Sequence, residues 1–154
     1  MKANRIYVVA AAAVLASAAM VGCKKKEETA PVTPAATAPA ATVSVTSVDL
    51  GNAVGADSKV SATGTTFKPT DKVYASVSTS TSDAAATVPG TLGAKWYFGT
   101  TEIPNTAKES QINFNGTGNT AFDLSNASGM PAGKYKVDIS LNGAVVSSKE
   151  FEVK

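Results

Sequence analysis

Alternation of apolar and polar residues near the C-terminal end of the chain restricts its fold more than any other feature. Apolar residues occupy every second position of one segment: Tyr135, Val137, Ile139 and Leu141. Phe151 and Val153 alternate in the same way with charged neighbours. A period of two residues is typical of a β-strand that buries one face. The pattern therefore predicts two strands, Gly133–Leu141 and Val145–Val153, with these side chains in a core.

The residue numbers of these two strands impose a condition on the hairpin between them. Opposed residues of antiparallel strands share a face, so the numbers of paired core residues must sum to an even value. A two-residue turn at Asn142-Gly143 gives an odd sum and places Tyr135 opposite Glu150. We therefore expect either a three-residue loop with Gly143 in the left-handed bulge position, or a bulge near Ser147-Ser148.

Short alternating segments, bounded by Gly, Pro, Asn, Asp and Ser, recur throughout residues 42–154, and no window shows a helical period. The predicted strands are Thr42–Leu50, Ser58–Thr63, Lys72–Thr79, Leu92–Phe98, Gln111–Asn115, Thr120–Leu124, Gly133–Leu141 and Val145–Val153. This many short strands in 113 residues predict an all-β fold, a single antiparallel sandwich.

The segment from Met130 to Gly143, followed by Phe151-Glu152-Val153, resembles the closing hairpin of small bacterial immunoglobulin-like modules. Those modules share a Pro-x-Gly-x-Tyr-x-Val pattern, a Gly turn and Phe-x-Val. Phe67-Lys68-Pro69-Thr70-Asp71 and the strand that carries Trp96 are also similar. The resemblance covers most of residues 42–154 and implies an immunoglobulin-like β-sandwich. Since the sequence holds one cysteine, the cysteine pair of antibody domains is absent and packing alone must hold the sheets together.

Trp96 and Tyr97 are neighbours on one predicted strand and therefore point to opposite faces. A Trp on a central strand of a sandwich is ordinarily part of the core, so we expect Trp96 to be buried, with Phe98 on the same face. Tyr97 then points outward and is our candidate binding residue. The alternative is that Tyr97 is ordinary strand surface.

An export pattern precedes the domain. Lys2 and Arg5 are followed by an uncharged run of 17 residues, 6–22. Since a membrane span needs roughly 20 residues, residues 1–22 are predicted to be a signal peptide and not a transmembrane helix. Ordinary secretory cleavage at Ala16-Ser17-Ala18 is an alternative, and it would leave Cys23 as a free thiol.

Cys23 is the single cysteine of the chain, and an exported protein with one cysteine has no disulfide partner within itself. The segment Met20-Val21-Gly22-Cys23 resembles the lipobox of bacterial lipoproteins, with Met where Leu is usual. The resemblance implies that Cys23 is acylated and becomes the first mature residue, so that membrane lipid is its partner. In lipoproteins that resemble those of enterobacteria, an Asp after the cysteine tends to retain the protein at the inner membrane. Lys24 occupies that position here, so the resemblance implies the outer membrane.

Residues 23–41 combine this cysteine with Pro, Ala and Thr, and their low hydrophobicity predicts a disordered tether. The domain after it, residues 42–154, contains nine Lys, no Arg and ten Asp or Glu, for a net charge of −1. Without a basic surface, nucleic acid is not an expected partner.

The residues that support catalysis are scarce. The chain has no His, and we expect no metal, no cofactor and no enzymatic activity. Glu150 and Glu152 share a face, but their alternation with Phe151 predicts the solvent side of a strand. A serine-dependent hydrolase would require Ser, Lys and Asp clustered in a cleft.

Two loops, Thr79–Gly90 and Ser125–Ala132, are further candidates for recognition, and the alternative for Thr79–Gly90 is a permissive mobile loop of small residues. The expected function is that of a non-catalytic, lipid-anchored envelope protein whose immunoglobulin-like domain binds a protein or glycan or has a structural role. The alternative is a periplasmic inhibitor or immunity lipoprotein that acts against a cell-wall hydrolase.

Overall fold

A computed structural model describes residues 39–154, so the predicted signal peptide, Cys23 and most of the predicted tether lie outside the described residues. The described part contains these strands: β1 (Val43–Gly51), β2 (Thr66–Phe67), β3 (Val73–Thr81), β4 (Thr87–Phe98), β5 (Thr101–Glu102), β6 (Lys108–Asn115), β7 (Thr117–Leu124), β8 (Gly133–Leu141) and β9 (Ala144–Val153). From Pro39 onward, it has no helix that could cross a membrane.

The strands form two sheets. The smaller sheet has the order β1-β3-β7, and the larger has the order β2-β9-β8-β4-β5, with β6 also paired to β4. All pairs are antiparallel except the two-residue contact of β2 with β9. This is an immunoglobulin-like sandwich, as predicted. It differs from the seven-strand constant-type arrangement in that β6 joins the sheet of β4 and not that of β7.

The core between the sheets is centred on four aromatic rings. Trp96 is 0% exposed, which confirms its predicted burial. Phe151 meets Trp96 edge-on, with ring centroids 6.0 Å apart, and meets Phe67 edge-on at 5.6 Å. Its other contact is a stack on Tyr135 at 5.1 Å. Phe151 therefore joins strands β2, β4 and β8 through one side chain.

Tyr135 also fixes the entry to β8. Its hydroxyl donates a hydrogen bond to the carbonyl oxygen of Pro131, four residues earlier, at 2.8 Å. A tyrosine that bonds back to the preceding corner in this way is a hallmark of immunoglobulin-like sandwiches. Phe98 lies beside it at a centroid distance of 5.0 Å and is 42% exposed, because it occupies the last position of β4.

The β8–β9 hairpin contains a bulge. Its turn has two residues, Asn142 and Gly143, both with positive φ (52° and 82°), as in the turns that match the twist of a hairpin. Ser140 pairs with Val145 but Ile139 pairs with Ser147, so Val146 is the extra residue. Of the two expected solutions, the bulge is therefore confirmed and the three-residue loop is not formed. The bulge lies one residue before Ser147-Ser148.

This bulge predicts which deletions the hairpin tolerates. Deletion of Val146 converts β8–β9 into a regular ladder with Tyr135 still opposite Phe151, so we expect a melting temperature close to that of the wild type. Deletion of Ser140 from β8 makes Ile139 and Leu141 adjacent, so that they point to opposite faces of the sheet. One of them then leaves the core, and the domain should unfold. Thermal melts followed by circular dichroism compare the two, and equal losses would contradict the register.

Two predicted segments were wrong. Residues Ser58–Thr63 form no strand and contribute only an isolated bridge, Val54 to Val60. This part of the β1–β2 connection covers the outer side of β3 instead, where Ser76 is 2% exposed and donates to the Ser58 carbonyl oxygen at 2.7 Å. The Gly and Ser that bound this segment favour turns over a strand.

The expected long loop Thr79–Gly90 is shorter than predicted, because β3 continues to Thr81 and β4 begins at Thr87. Thr79 and Thr81 are buried and their hydroxyls bond the Gly118 and Asp83 carbonyl oxygens. Side chains that looked like polar loop residues are thus β-branched strand residues.

Candidate functional site

The outer side of the larger sheet carries the predicted binding residue. We define the Tyr97 face as Lys95, Tyr97, Glu102, Lys136, Asp138 and Ser148. The ladders bring these residues together, since Tyr97 pairs with Lys136 and with Glu102, Lys95 pairs with Asp138, and Asp138 pairs with Ser148. Tyr97 lies on the side opposite the buried Trp96, and its side chain is half-buried.

Each group of the Tyr97 face is held by a neighbour. The Lys136 ammonium lies 4.4 Å from the centroid of the Tyr97 ring and 2.9 Å from Asp138 Oδ2. Ser148 donates its hydroxyl to Asp138 Oδ1 at 2.6 Å. Lys95 and Glu102 form a looser, exposed pair at 3.8 Å. The aromatic ring is therefore fixed beneath a cation whose charge Asp138 balances.

Asp138 is held as a carboxylate. Partial burial opposes its ionisation, but the hydrogen bonds from Ser148 and Lys136 outweigh that effect and lower its pKa. The hydrogen bond to Asp138 raises the pKa of Lys136 in turn. Both groups are thus charged at neutral pH and bonded to each other, an arrangement that serves recognition better than proton transfer.

The lowered pKa of Asp138 predicts a pH-dependent contribution to stability. A carboxylate whose pKa is lower in the folded state stabilises it above the ordinary value of 3.8, and this stabilisation is lost as the pH falls through the folded-state value. We expect Asp138→Asn to lower the melting temperature at neutral pH, and the difference from the wild type to shrink in acid. A constant difference across both conditions would contradict this electrostatic origin.

The smaller sheet carries a similar group on its outer side, completed by Lys108 from β6 of the larger sheet. We define the Tyr74 face as Lys72, Tyr74, Lys108 and Asp123. Lys72 lies 5.2 Å from the Tyr74 centroid and 3.2 Å from Asp123 Oδ2, and Lys108 lies 2.6 Å from Asp123 Oδ1. Burial opposes ionisation of Asp123, but the two lysines outweigh it and lower its pKa. Sequence reasoning missed this face, although Tyr74 at an outward strand position was a visible signal.

A cleft opens at one end of the sandwich, beside the loop Ser125–Ala132. This end cleft has a volume of about 320 Å³ and is lined by Ile103, Leu124, Ala127, Met130 and Tyr135, among others. The loop connects β7 to β8 with the predicted bounds. Met130 holds it down, since its side chain is buried and its N–H donates to the Pro69 carbonyl oxygen at 2.8 Å.

The described residues offer few groups for chemistry. Between residues 39 and 154 no three His, Cys, Asp or Glu side chains lie together in a way that could hold a metal ion. Within the same range, the one buried side-chain polar atom without a partner is Trp96 Nε1, a donor that cannot act as a base. Glu150 and Glu152 are exposed, as predicted.

No family model matches the sequence, and no curated protein matches it. Among solved structures, an alkylpurine DNA glycosylase from Pseudomonas fluorescens bound to DNA superposes with a TM-score of 0.49 at 12% identity, over 73% of this chain and 30% of the glycosylase. A β-glucosidase from Listeria innocua in complex with glucose gives 0.46 at 9% identity, over 74% of this chain and 16% of its own.

A CARDB domain from Pyrococcus furiosus in complex with di-metal ions gives a TM-score of 0.42 at 10% identity, over 73% of this chain and 93% of the CARDB chain. The chain thus spans less than a third of the glycosylase and of the glucosidase. Superpositions at this level carry no argument about partner or activity.

Proposed function

We propose that this chain is a non-catalytic lipoprotein of the bacterial outer membrane, anchored through acylated Cys23, which binds an envelope protein or glycan through the Tyr97 face. The observation that carries the proposal is the construction of that face. An aromatic ring, a cation and a carboxylate are fixed against one another on a rigid sheet, at distances of 4.4 Å and 2.9 Å.

Such a surface binds at low entropic cost. Tyr contributes a large contact area with few rotatable bonds, and the ordered Lys136 and Asp138 lose little further freedom on binding. The two lysines of the face are matched by its two acids, and Glu150, which pairs with Lys136 on the same side, adds one negative charge beside it. The favoured partner therefore offers uncharged polar groups, such as sugar hydroxyls or peptide amides, together with an apolar surface for the Tyr97 ring.

A photocrosslinking experiment tests the face in its native setting. A benzophenone amino acid replaces Tyr97 in one variant and Tyr74 in another, since both tyrosines are half-buried beneath a lysine on an outer strand face. After irradiation of intact cells, we expect a discrete crosslinked species from position 97 that is several-fold stronger than from position 74. Equal or absent crosslinking at position 97 would contradict the proposed binding face.

The anchor is tested separately. Metabolic labelling with a clickable palmitate analogue should label the wild-type chain, and Cys23→Ser should lose both the label and the membrane fraction. An unlabelled wild-type chain in the soluble fraction would favour ordinary secretory cleavage at Ala18.

One observation favours the second candidate, an inhibitor of a cell-wall hydrolase. The Ser125–Ala132 loop is exposed at its tip but prefolded, with the Gly129 N–H bonded to the Asn126 carbonyl oxygen at 2.9 Å. A rigid protruding loop suits insertion into a catalytic cleft. Purified protein should then inhibit lysozyme or a peptidoglycan hydrolase, and Ala127→Arg should abolish inhibition. Full enzyme activity throughout would remove this candidate.

A further inference from the structure

The end of the sandwich opposite the end cleft is the end at which the tether joins. We define the tether end as residues 42–47, 78–94, 108–120 and 139–147. Strand pairing brings these segments to one end, since Val43 pairs with Thr81, Ser80 with Thr117 and Thr87 with Asn115. The chain from Cys23 enters here, because Thr42 accepts from the Ser82 N–H at 2.8 Å and donates its own N–H to Ser82 Oγ at 3.0 Å.

Charge is distributed unevenly along the sandwich. The tether end contains 45 residues and three charged side chains, Asp83, Lys108 and Glu109, whereas the other 68 residues of the domain contain 16. Asp83 is engaged locally, since its carboxylate accepts a hydrogen bond from the Ala85 N–H at 2.9 Å. Lys108 is paired with Asp123 at 2.6 Å, and the residues other than these three are small, apolar or uncharged polar.

The tether end also exposes apolar side chains. Val145 is 62% exposed and Val146 is 47% exposed, and with Phe98 they are the exposed large hydrophobic residues of the described part. They lie at the start of β9, where β2 does not reach, since it pairs only with Glu152 and Val153. Val145 pairs with Ser140 and so lies on the outer side of the larger sheet, and Val146 is the bulged residue beside it.

We propose that the tether end docks on the lipid bilayer that anchors Cys23, with Val145 and Val146 in contact with the interface. Bringing charged groups to a low-dielectric surface is costly, and this end has three to desolvate, against 16 in the rest of the domain. Two valines alone bind a bilayer weakly, but a short tether raises the effective concentration of the membrane to roughly the millimolar range, at which weak contacts are populated. This inference rests on the anchoring proposed above.

Docking in this way sets the orientation of the domain. The end cleft and the Ser125–Ala132 loop would face away from the bilayer, and most of the charged residues would remain in water. Because the contact is apolar, it should be insensitive to salt and to anionic lipid, unlike attraction through Lys24, Lys25 and Lys26, which ionic strength would weaken.

The test attaches the chain covalently to a lipid in a membrane. A chain that begins at Cys23 retains the whole described core, which lies between Val48 and Val153, and its single thiol reacts with a maleimide lipid in phosphatidylcholine nanodiscs. Gadolinium-chelating lipid in the same nanodiscs then enhances the relaxation of nearby amide protons. We expect enhancement at Ala85 and Val145 that is several-fold larger than at Thr101 and Ala127, at low and high salt alike.

Variants separate docking from mere proximity of the tether. Val145→Asp should lose most of the enhancement at the tether end, whereas Thr101→Asp, which adds the same charge at an exposed site of the opposite end, should keep it. Unchanged amide shifts elsewhere would show that both variants fold. Equal enhancement in the wild type and Val145→Asp, or loss of enhancement in high salt, would overturn the proposal.

Two further outcomes are informative. Broadening at Val145 without nanodiscs, which rises with protein concentration, would assign the patch to a second copy of the chain and also overturn the proposal. Because maleimide coupling does not depend on acylation in the cell, a failed palmitate labelling would count against the anchor alone.

Discussion

Replacement of Trp96 by Ala is expected to lower the free energy of unfolding by about 3–5 kcal/mol, the usual range for truncating a large buried aromatic residue. Trp96 is 0% exposed and lies between the two sheets, where no disulfide can compensate because the described residues contain no cysteine. Urea titration measures the loss. A cost below about 1 kcal/mol would mean that the core collapses around the cavity.

Trp96→Phe keeps an aromatic ring at this position. It creates a smaller cavity and also removes Nε1–H, the buried donor that lacks a partner, whose burial carries a cost of about 1–3 kcal/mol. We therefore expect Trp96→Phe to lose less than half of what Trp96→Ala loses. Because both variants remove the indole N–H, equal losses would show that the volume of the cavity does not determine the cost.

Phe151→Ala is the second substitution with a large expected effect, again about 3–5 kcal/mol. Phe151 contacts Phe67, Trp96 and Tyr135 at centroid distances of 5.6, 6.0 and 5.1 Å. Its loss removes the one side chain that joins β2, β4 and β8 in the core. Phe151→Leu keeps most of the apolar volume and serves as the matched control, with an expected loss of less than about 1.5 kcal/mol.

A double-mutant cycle tests whether the two rings act together. Edge-on aromatic pairs contribute about 0.5–1.5 kcal/mol beyond their buried area, so the double variant should lose less than the sum of the single losses. Strict additivity would indicate that Trp96 and Phe151 are independent, in spite of their contact.

The sequence was sufficient to predict the parts of the fold that follow from the two-residue alternation of apolar and polar side chains. Alternation located β8 and β9, placed Trp96 inside and Tyr97 outside, and required an irregularity in the hairpin, since parity allows no other solution. The choice between a longer loop and a bulge depends on the preference of Asn142-Gly143 for a two-residue turn, and only backbone geometry resolves it.

Other features depend on contacts between distant residues, which no local pattern contains. Ser80 and Thr81 extend the predicted strand, because Ser80 pairs with Thr117 and the Thr81 N–H bonds to the Gly116 carbonyl oxygen. Residues Ser58–Thr63 lost their predicted strand because they cover Ser76 instead. The ion pairs around Tyr97 and Tyr74 required knowledge of which strands are neighbours. Tyr97 was identified as a candidate from its position alone, whereas Lys136, Asp138 and Ser148 were not.

The bulges in β1 and β9 affect how readily copies of this domain can associate through the edges of their sheets. β1 has an extra residue at Thr46, and β9 has one at Val146. Within residues 39–154, each of these strands has an edge along which some backbone groups pair with no other strand. A regular exposed strand would template the addition of another chain, whereas a bulge twists the backbone out of the required plane. At the edges formed by β1 and β9, the bulges therefore oppose strand-by-strand addition of further copies of the domain.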